Sequence, residues 1–127
     1  MFEVHSDAGR NRLYITLTGH LDSTERQATI REIFTEAAKL EPGFGVVTDI
    51  SGLFPSDQEG FKDLLRAKSG LRMKGVGPIL RVVKIPLSRI QVERISEEAG
   101  YEAGSASSVE EADRRLDLLL AEAKPEP

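Results

Sequence analysis

The stretch Asp49-Ile50-Ser51-Gly52-Leu53-Phe54-Pro55-Ser56-Asp57-Gln58-Glu59-Gly60 decides how the chain is read. An apolar run, Phe44 to Val47, leads into it, and Phe61, Leu64, Leu65 and Leu71 follow at helical spacing. The stretch is therefore a strand end, a loop and the first turn of a helix. In α/β folds such a loop lies at the carboxyl end of a strand, where ligands and partners bind. Ser56-Asp-Gln-Glu59 has the spacing of a capping box, in which Ser56 accepts from the Glu59 amide and Glu59 reaches back to that of Ser56. Its carboxylates face the positive end of the helix dipole.

Working outward, Phe2 to His5 reads as a first strand. Arg12 to Thr18 reads as a second, alternating Leu13, Ile15 and Leu17 with Tyr14, Thr16 and Thr18. The turn residues between them predict an antiparallel hairpin. Asp22, Ser23 and Thr24 are all N-cap candidates for a helix whose apolar face is Ile30, Ile33, Phe34 and Ala37. Glu41-Pro-Gly43 ends it, because the residue before proline avoids the α region. Phe44 to Ile50 is a central strand. Gly70 inside the second helix costs about 1 kcal/mol relative to alanine and loosens its last turn. Ile79 to Ile85 forms a fourth strand, and Ser88 opens a third helix that Gly100 closes. A short fifth strand falls within Tyr101 to Ala106. Ser107 or Ser108 caps a last helix with the stripe Val109, Ala112, Leu116, Leu119 and Leu120.

Strands alternating with helices after a hairpin predict one α/β domain, residues 1–123, with a mixed sheet of four to five strands and about four helices. Residues 124–127 are expected to fray. A chain of 127 residues is of single-domain size. The absence of cysteine removes disulfide and thiolate chemistry. The opening Met-Phe-Glu-Val-His-Ser-Asp lacks the basic and apolar regions of a signal peptide. No run approaches the ~20 apolar residues of a membrane span. The expected compartment is the cytoplasm.

The residues Asp49, Ser51, Gly52, Asp57 and Gly60 fall in register with a motif of the STAS family (sulfate transporter and anti-sigma factor antagonist domains), with Phe61 in place of a leucine. Leu17-Thr-Gly-His-Leu-Asp22 resembles the family's earlier strand end, and Gly100 with Ser108-Val-Glu-Glu-Ala112 resembles its last turn and helix. The resemblance spans about Phe2 to Leu120 and implies a STAS-like α/β domain without enzymatic activity or cofactor. It also implies a partner-binding surface made of Ser51, Ser56, Asp57, Gln58, Glu59, Lys62 and Arg66. In the family's signalling members the residue before the helix glycine is a phosphorylated serine or threonine. Here that phosphoacceptor-equivalent position is Glu59, preceded by Gln58. Glu59 reads either as a helix-capping carboxylate or as a permanent charge where relatives gain one, with about one charge against the nearly two of a phosphoserine.

Other chemistry finds little footing. Asp49 and Asp57 have no histidine, lysine or nucleophile at a defined spacing, so they read as a turn residue and a first-turn dipole partner. His5 and His20 lack metal-ligand spacing. Lys74-Gly-Val-Gly-Pro78 lacks the ending of a phosphate loop. Charge is distributed unevenly: residues 62–94 hold nine basic and two acidic residues, a local +7, which leaves −11 for the rest of a chain of formal charge −4. These cations are either the solvated faces of the second and third helices or the mark of an anionic partner. The acidic total argues against nucleic acid.

The sequence thus predicts a bacterial regulatory module whose partner, by the resemblance, is an anti-sigma factor kinase, a related switch protein or a transport complex subunit. A membrane surface and a homodimer are weaker alternatives for the same face. The runner-up is a carrier of a small apolar or anionic ligand, using a pocket between sheet and helices and the basic segment 62–94.

Overall fold

The structure is a computed structural model that describes residues 1–53, 58–83 and 103–123. Its elements are β1 (Phe2–Asp7), β2 (Arg12–Gly19), α1 (Ser23–Ala37), β3 (Gly45–Leu53), α2 (Gln58–Met73), β4 (Ile79–Val82), β5 (Ala103–Ala106) and α3 (Val109–Ala123). The predicted third helix lies outside the described residues, as do Ile85 and residues 124–127.

The five strands form one sheet in the order β1-β2-β3-β4-β5. β1 and β2 pair antiparallel, Val4 opposite Ile15, and every later pair is parallel. This is the mixed sheet with an opening hairpin that the patterning predicts. Asn11 turns the hairpin in the left-handed region (φ 54°), a conformation asparagine tolerates better than most residues. Its side chain also ties the hairpin to the corner after α1, donating to the Glu41 carbonyl at 3.1 Å and accepting from the Glu41 amide at 2.8 Å.

Both faces of the sheet are covered. On one, Leu13, Ile15, Leu17, Val46, Ile50 and Ile79 pack against α1 and α2. On the other, Val47, Leu80, Val82 and Ala106 pack against Ala112 and Leu116 of α3. The early outward positions of β2 are therefore covered, while Thr18 stays exposed. Tyr14 lies half-buried against the α3-side core, and Arg12 is buried.

The helix starts are set by short polar side chains. Asp22, alone of three candidates, is the N-cap of α1 and accepts from the Glu25 amide at 2.8 Å. Ser108 accepts from the Glu111 amide at 3.1 Å, while Glu111 accepts from the Ser107 amide and hydroxyl. The buried stripe of α3 is Ala112 and Leu116, continued by half-buried Leu120. Leu119, assigned to the stripe from sequence, is 39% exposed. Leu119 lies about 60° around the helix from Leu116, at the edge of the buried face and not at its centre.

Gly70 has a packing reason rather than a loosening one. A Cβ there would stand 2.5 Å from Phe34 Cζ. The glycine lets α2 approach α1 closely, with the Phe34 ring in the gap.

Candidate functional site

The site is built where β3 gives way to α2. β3 runs three residues beyond the strand end expected from sequence, through Leu53, so Ser51 stands in a strand and not in the loop. The pairing of β2 with β3 changes register here: Thr16 opposes Asp49, and Thr18 opposes Gly52. The extra residue on β3 makes a bulge, a device that re-aims side chains at strand ends. Asp49 holds it together. Its Oδ1 accepts from the Ser51 amide at 3.0 Å and from the Ser51 hydroxyl at 2.7 Å. Asp49 thus bonds its own segment as expected, but from within β3 and not from a turn. Gly52 follows because a Cβ there would press on Thr18 Cγ2 at 3.1 Å.

α2 presents two distinct faces. Asp63, Ala67 and Leu71, four residues apart, are buried, whereas Lys62 and Arg66 are exposed. Of the residues assigned to the partner surface, the structure therefore places Lys62 and Arg66 together on the outer face of α2, with Ser51 in the bulge. Gln58 and Glu59 lie in the first turn of α2, and their side chains are outside the described residues, as are Ser56 and Asp57. The capping box of Ser56 and Glu59 falls there too.

Sequence reasoning missed the polar centre of this region. Asp63 is 5% exposed and accepts from Arg26 Nε at 2.9 Å and from Arg66 Nη2 at 2.5 Å. Arg26 also donates to the Leu21 carbonyl at 2.9 Å. One carboxylate thus joins α1, α2 and the outward-facing Arg66. The signal was the four-residue spacing of Asp63, Ala67 and Leu71, which sets an acid on an inner stripe.

Beside this pair lies a cavity of about 40 Å³. Leu17, Leu21 and Leu53 line it from the sheet side, and Ile30, Ile33 and Ala67 from the helices, with Thr29, Arg26 and Asp63 completing the wall. It sits at the carboxyl ends of β2 and β3, between the front halves of α1 and α2.

A second polar cluster fastens α3. Arg12 donates to Asp113 at 2.8 Å and to Asp117 at 2.8 Å, and the Tyr14 hydroxyl donates to Asp113 at 2.9 Å. Burial by itself lowers the Arg12 pKa, but the bonds to Asp117 and Asp113 outweigh it and the net direction is upward. Burial, then the bond to Asp113, raises that of Tyr14. These bonds tie α3 to the sheet.

The basic segment is less uniform than its composition. Arg72 and Lys74 are exposed like Lys62 and Arg66, but Arg81 is 2% exposed within β4. Lys84, Arg89 and Arg94 lie outside the described residues. Among the described residues no group of three or more metal-ligating side chains converges, and no helix is long and apolar enough to cross a membrane.

No protein-family model and no curated protein matches the sequence. Solved structures do. A DUF3478-family protein with a SpoIIAA-like fold from Shewanella loihica PV-4 superposes with a TM-score of 0.70 at 15% identity, over 91% of this chain and 93% of that one. The phosphorylated form of the Bacillus cell-fate determinant SpoIIAA gives 0.63 at 21% identity, over 91% and 99%. An anti-sigma factor antagonist from Mycobacterium paratuberculosis gives 0.61 at 12% identity, over 92% and 95%. The chain thus has a SpoIIAA-like fold, the STAS-type architecture that the segment from Asp49 to Gly60 resembles.

Proposed function

We propose that the chain is a regulatory protein-interaction module without enzymatic activity. It docks a protein partner through the segment Ser51 to Glu59 and the outer face of α2. The observation that carries this reading is the division of α2: Asp63, Ala67 and Leu71 turn inward while Lys62 and Arg66 turn out beside the end of β3. A cationic helix face next to a strand end suits an acidic protein surface, since complementary potentials steer encounter and fix register. By the STAS resemblance the partner is an anti-sigma factor kinase, a related switch protein or a transport complex subunit. Glu59 stands at the position that relatives phosphorylate, so control here comes from competition or abundance and not from modification of that residue.

The test is affinity purification from the native host with the wild-type chain and with Lys62→Glu/Arg66→Glu. The expected result is an ATPase-like or transport-associated protein held by the wild type and lost from the variant. Retention by both would refute docking on this helix face. A parallel Glu59→Ser variant, incubated with the captured partner and ATP, tests the phosphoacceptor position. Phosphate incorporation confined to the variant supports it.

The carrier alternative gains little from the cavity. Its lining is largely apolar, and its cation, Arg26, is already paired with Asp63, which offers an anionic head no uncompensated charge.

A further inference from the structure

The cavity between α1 and α2 meets the docking surface just described at Leu53. Its floor and walls are Leu17, Leu21, Ile33 and Ala67, and half-buried Ile30 and Leu53 mark its open side. Arg26 and Asp63 meet at 2.9 Å in its wall and balance one another's charge. A charged ligand head entering there would have to break that pair. The space therefore suits an apolar group.

Size then selects the occupant. The centre of a water-sized group can range over about 40 Å³ there, a space that seats one branched group of about four carbons. Burying four carbons strengthens binding roughly ten- to hundred-fold. A free molecule that small would bind with a dissociation constant on the order of tens of millimolar. The same gain is an ordinary contribution from one anchoring side chain at the centre of a protein interface.

The geometry points to a socket for one aliphatic side chain of the protein partner, a leucine, isoleucine or methionine carried on an acidic segment. The acidic flanks follow from Lys62 and Arg66, which are exposed on the helix whose Asp63 and Ala67 line the socket. The inference rests on the docking reading and supplies its anchor.

Two probes test it on the full chain. The first is isobutanol, a leucine side-chain surrogate, followed by methyl NMR. The second is a displayed library of short peptides selected against the intact protein. Ala67→Leu fills the socket. Should it fail to fold, Leu53→Phe narrows the open side instead. Lys62→Glu reverses a charge on the rim and spares the Arg26–Asp63–Arg66 group in the socket wall. Isobutanol is expected to shift the methyl resonances of Leu17, Ile33 and Leu53 saturably, and the filled variant to abolish the shifts. Selected peptides are expected to share one aliphatic residue beside Asp or Glu. Alanine at that residue, or the filled socket, should each weaken binding at least ten-fold.

Peptides that bind the filled and wild-type proteins equally, but lose the charge-reversed one, overturn the socket and leave the docking reading standing. Peptides indifferent to both variants, or no enriched sequence, overturn both. Saturable isobutanol shifts with no aliphatic consensus would make the cavity a small-molecule site and overturn the anchor.

Discussion

Nε of Arg26 stands 2.9 Å from Oδ2 of Asp63, and this contact joins α1 to α2 through side chains that are only 11% and 7% exposed. Removing one member of such a pair strands the other where water is scarce. Asp63→Ala is therefore expected to lower unfolding free energy by about 3–5 kcal/mol in urea titrations. The double replacement Arg26→Met with Asp63→Leu should lose much less, because no uncompensated charge is left. A cost below about 1 kcal/mol for Asp63→Ala would show that the pair is solvated in solution.

The two carboxylates on Arg12 should not be equivalent. Asp113 is 22% exposed and also holds the Tyr14 hydroxyl, whereas Asp117 is 65% exposed. Asp117→Ala is expected to cost about 1 kcal/mol or less, as exposed pairs do. Asp113→Ala should cost about 3 kcal/mol, because it leaves a buried guanidinium partly unsatisfied. Equal losses in chemical denaturation would contradict this ranking.

Tyr14 makes stability fall on the alkaline side. Burial and its bond to Asp113 raise its pKa above the ordinary value of 10.0 in the folded state. A group with a raised folded pKa contributes fully below its unfolded pKa, and that contribution is lost as pH rises through the folded one. Wild-type stability should therefore drop as pH climbs past about 10, and Tyr14→Phe should flatten that slope. Thermal midpoints measured across this range for both proteins decide the matter.

Gly70→Ala gains about 1 kcal/mol of helix propensity in isolation. In the fold the added methyl would meet Phe34 Cζ at 2.5 Å. Overpacking of this kind costs about 1–3 kcal/mol, so the net effect is expected to be destabilising. Phe34→Leu in the same chain should recover part of the loss, which a double-mutant cycle would report as favourable coupling.

The sequence was most informative where the decisive interactions are local. The alternation in β2, the apolar face of α1 and the Pro-Gly corner depend on neighbours a few residues away. The family motif around Asp49 is equally local, and its Asp49–Ser51 contact spans two residues. What could not be read was polar chemistry closed over long range. Arg12 finds Asp113 across 101 residues, and Arg26 finds Asp63 across 37. An arginine at the start of a strand looks solvated until a distant helix covers it. Boundaries slipped for a related reason. A bulge extends β3 past the apolar run that announced it, and a bulge has no periodicity to recognise. A pocket between sheet and helices is legible as an alternative, but its lining is not, because it comes from four separate segments that each read as ordinary core.

Because each strand of the sheet lies next to the one made just before it, a growing polypeptide can add β3 and β4 to a template already outside the ribosome. Most pairing then waits on nothing still unsynthesised. The exception is the Arg12 guanidinium, whose carboxylate partners emerge 101 and 105 residues later. Until α3 arrives, that face of the nascent sheet stays open, and this is the interval in which a chaperone would have most to cover.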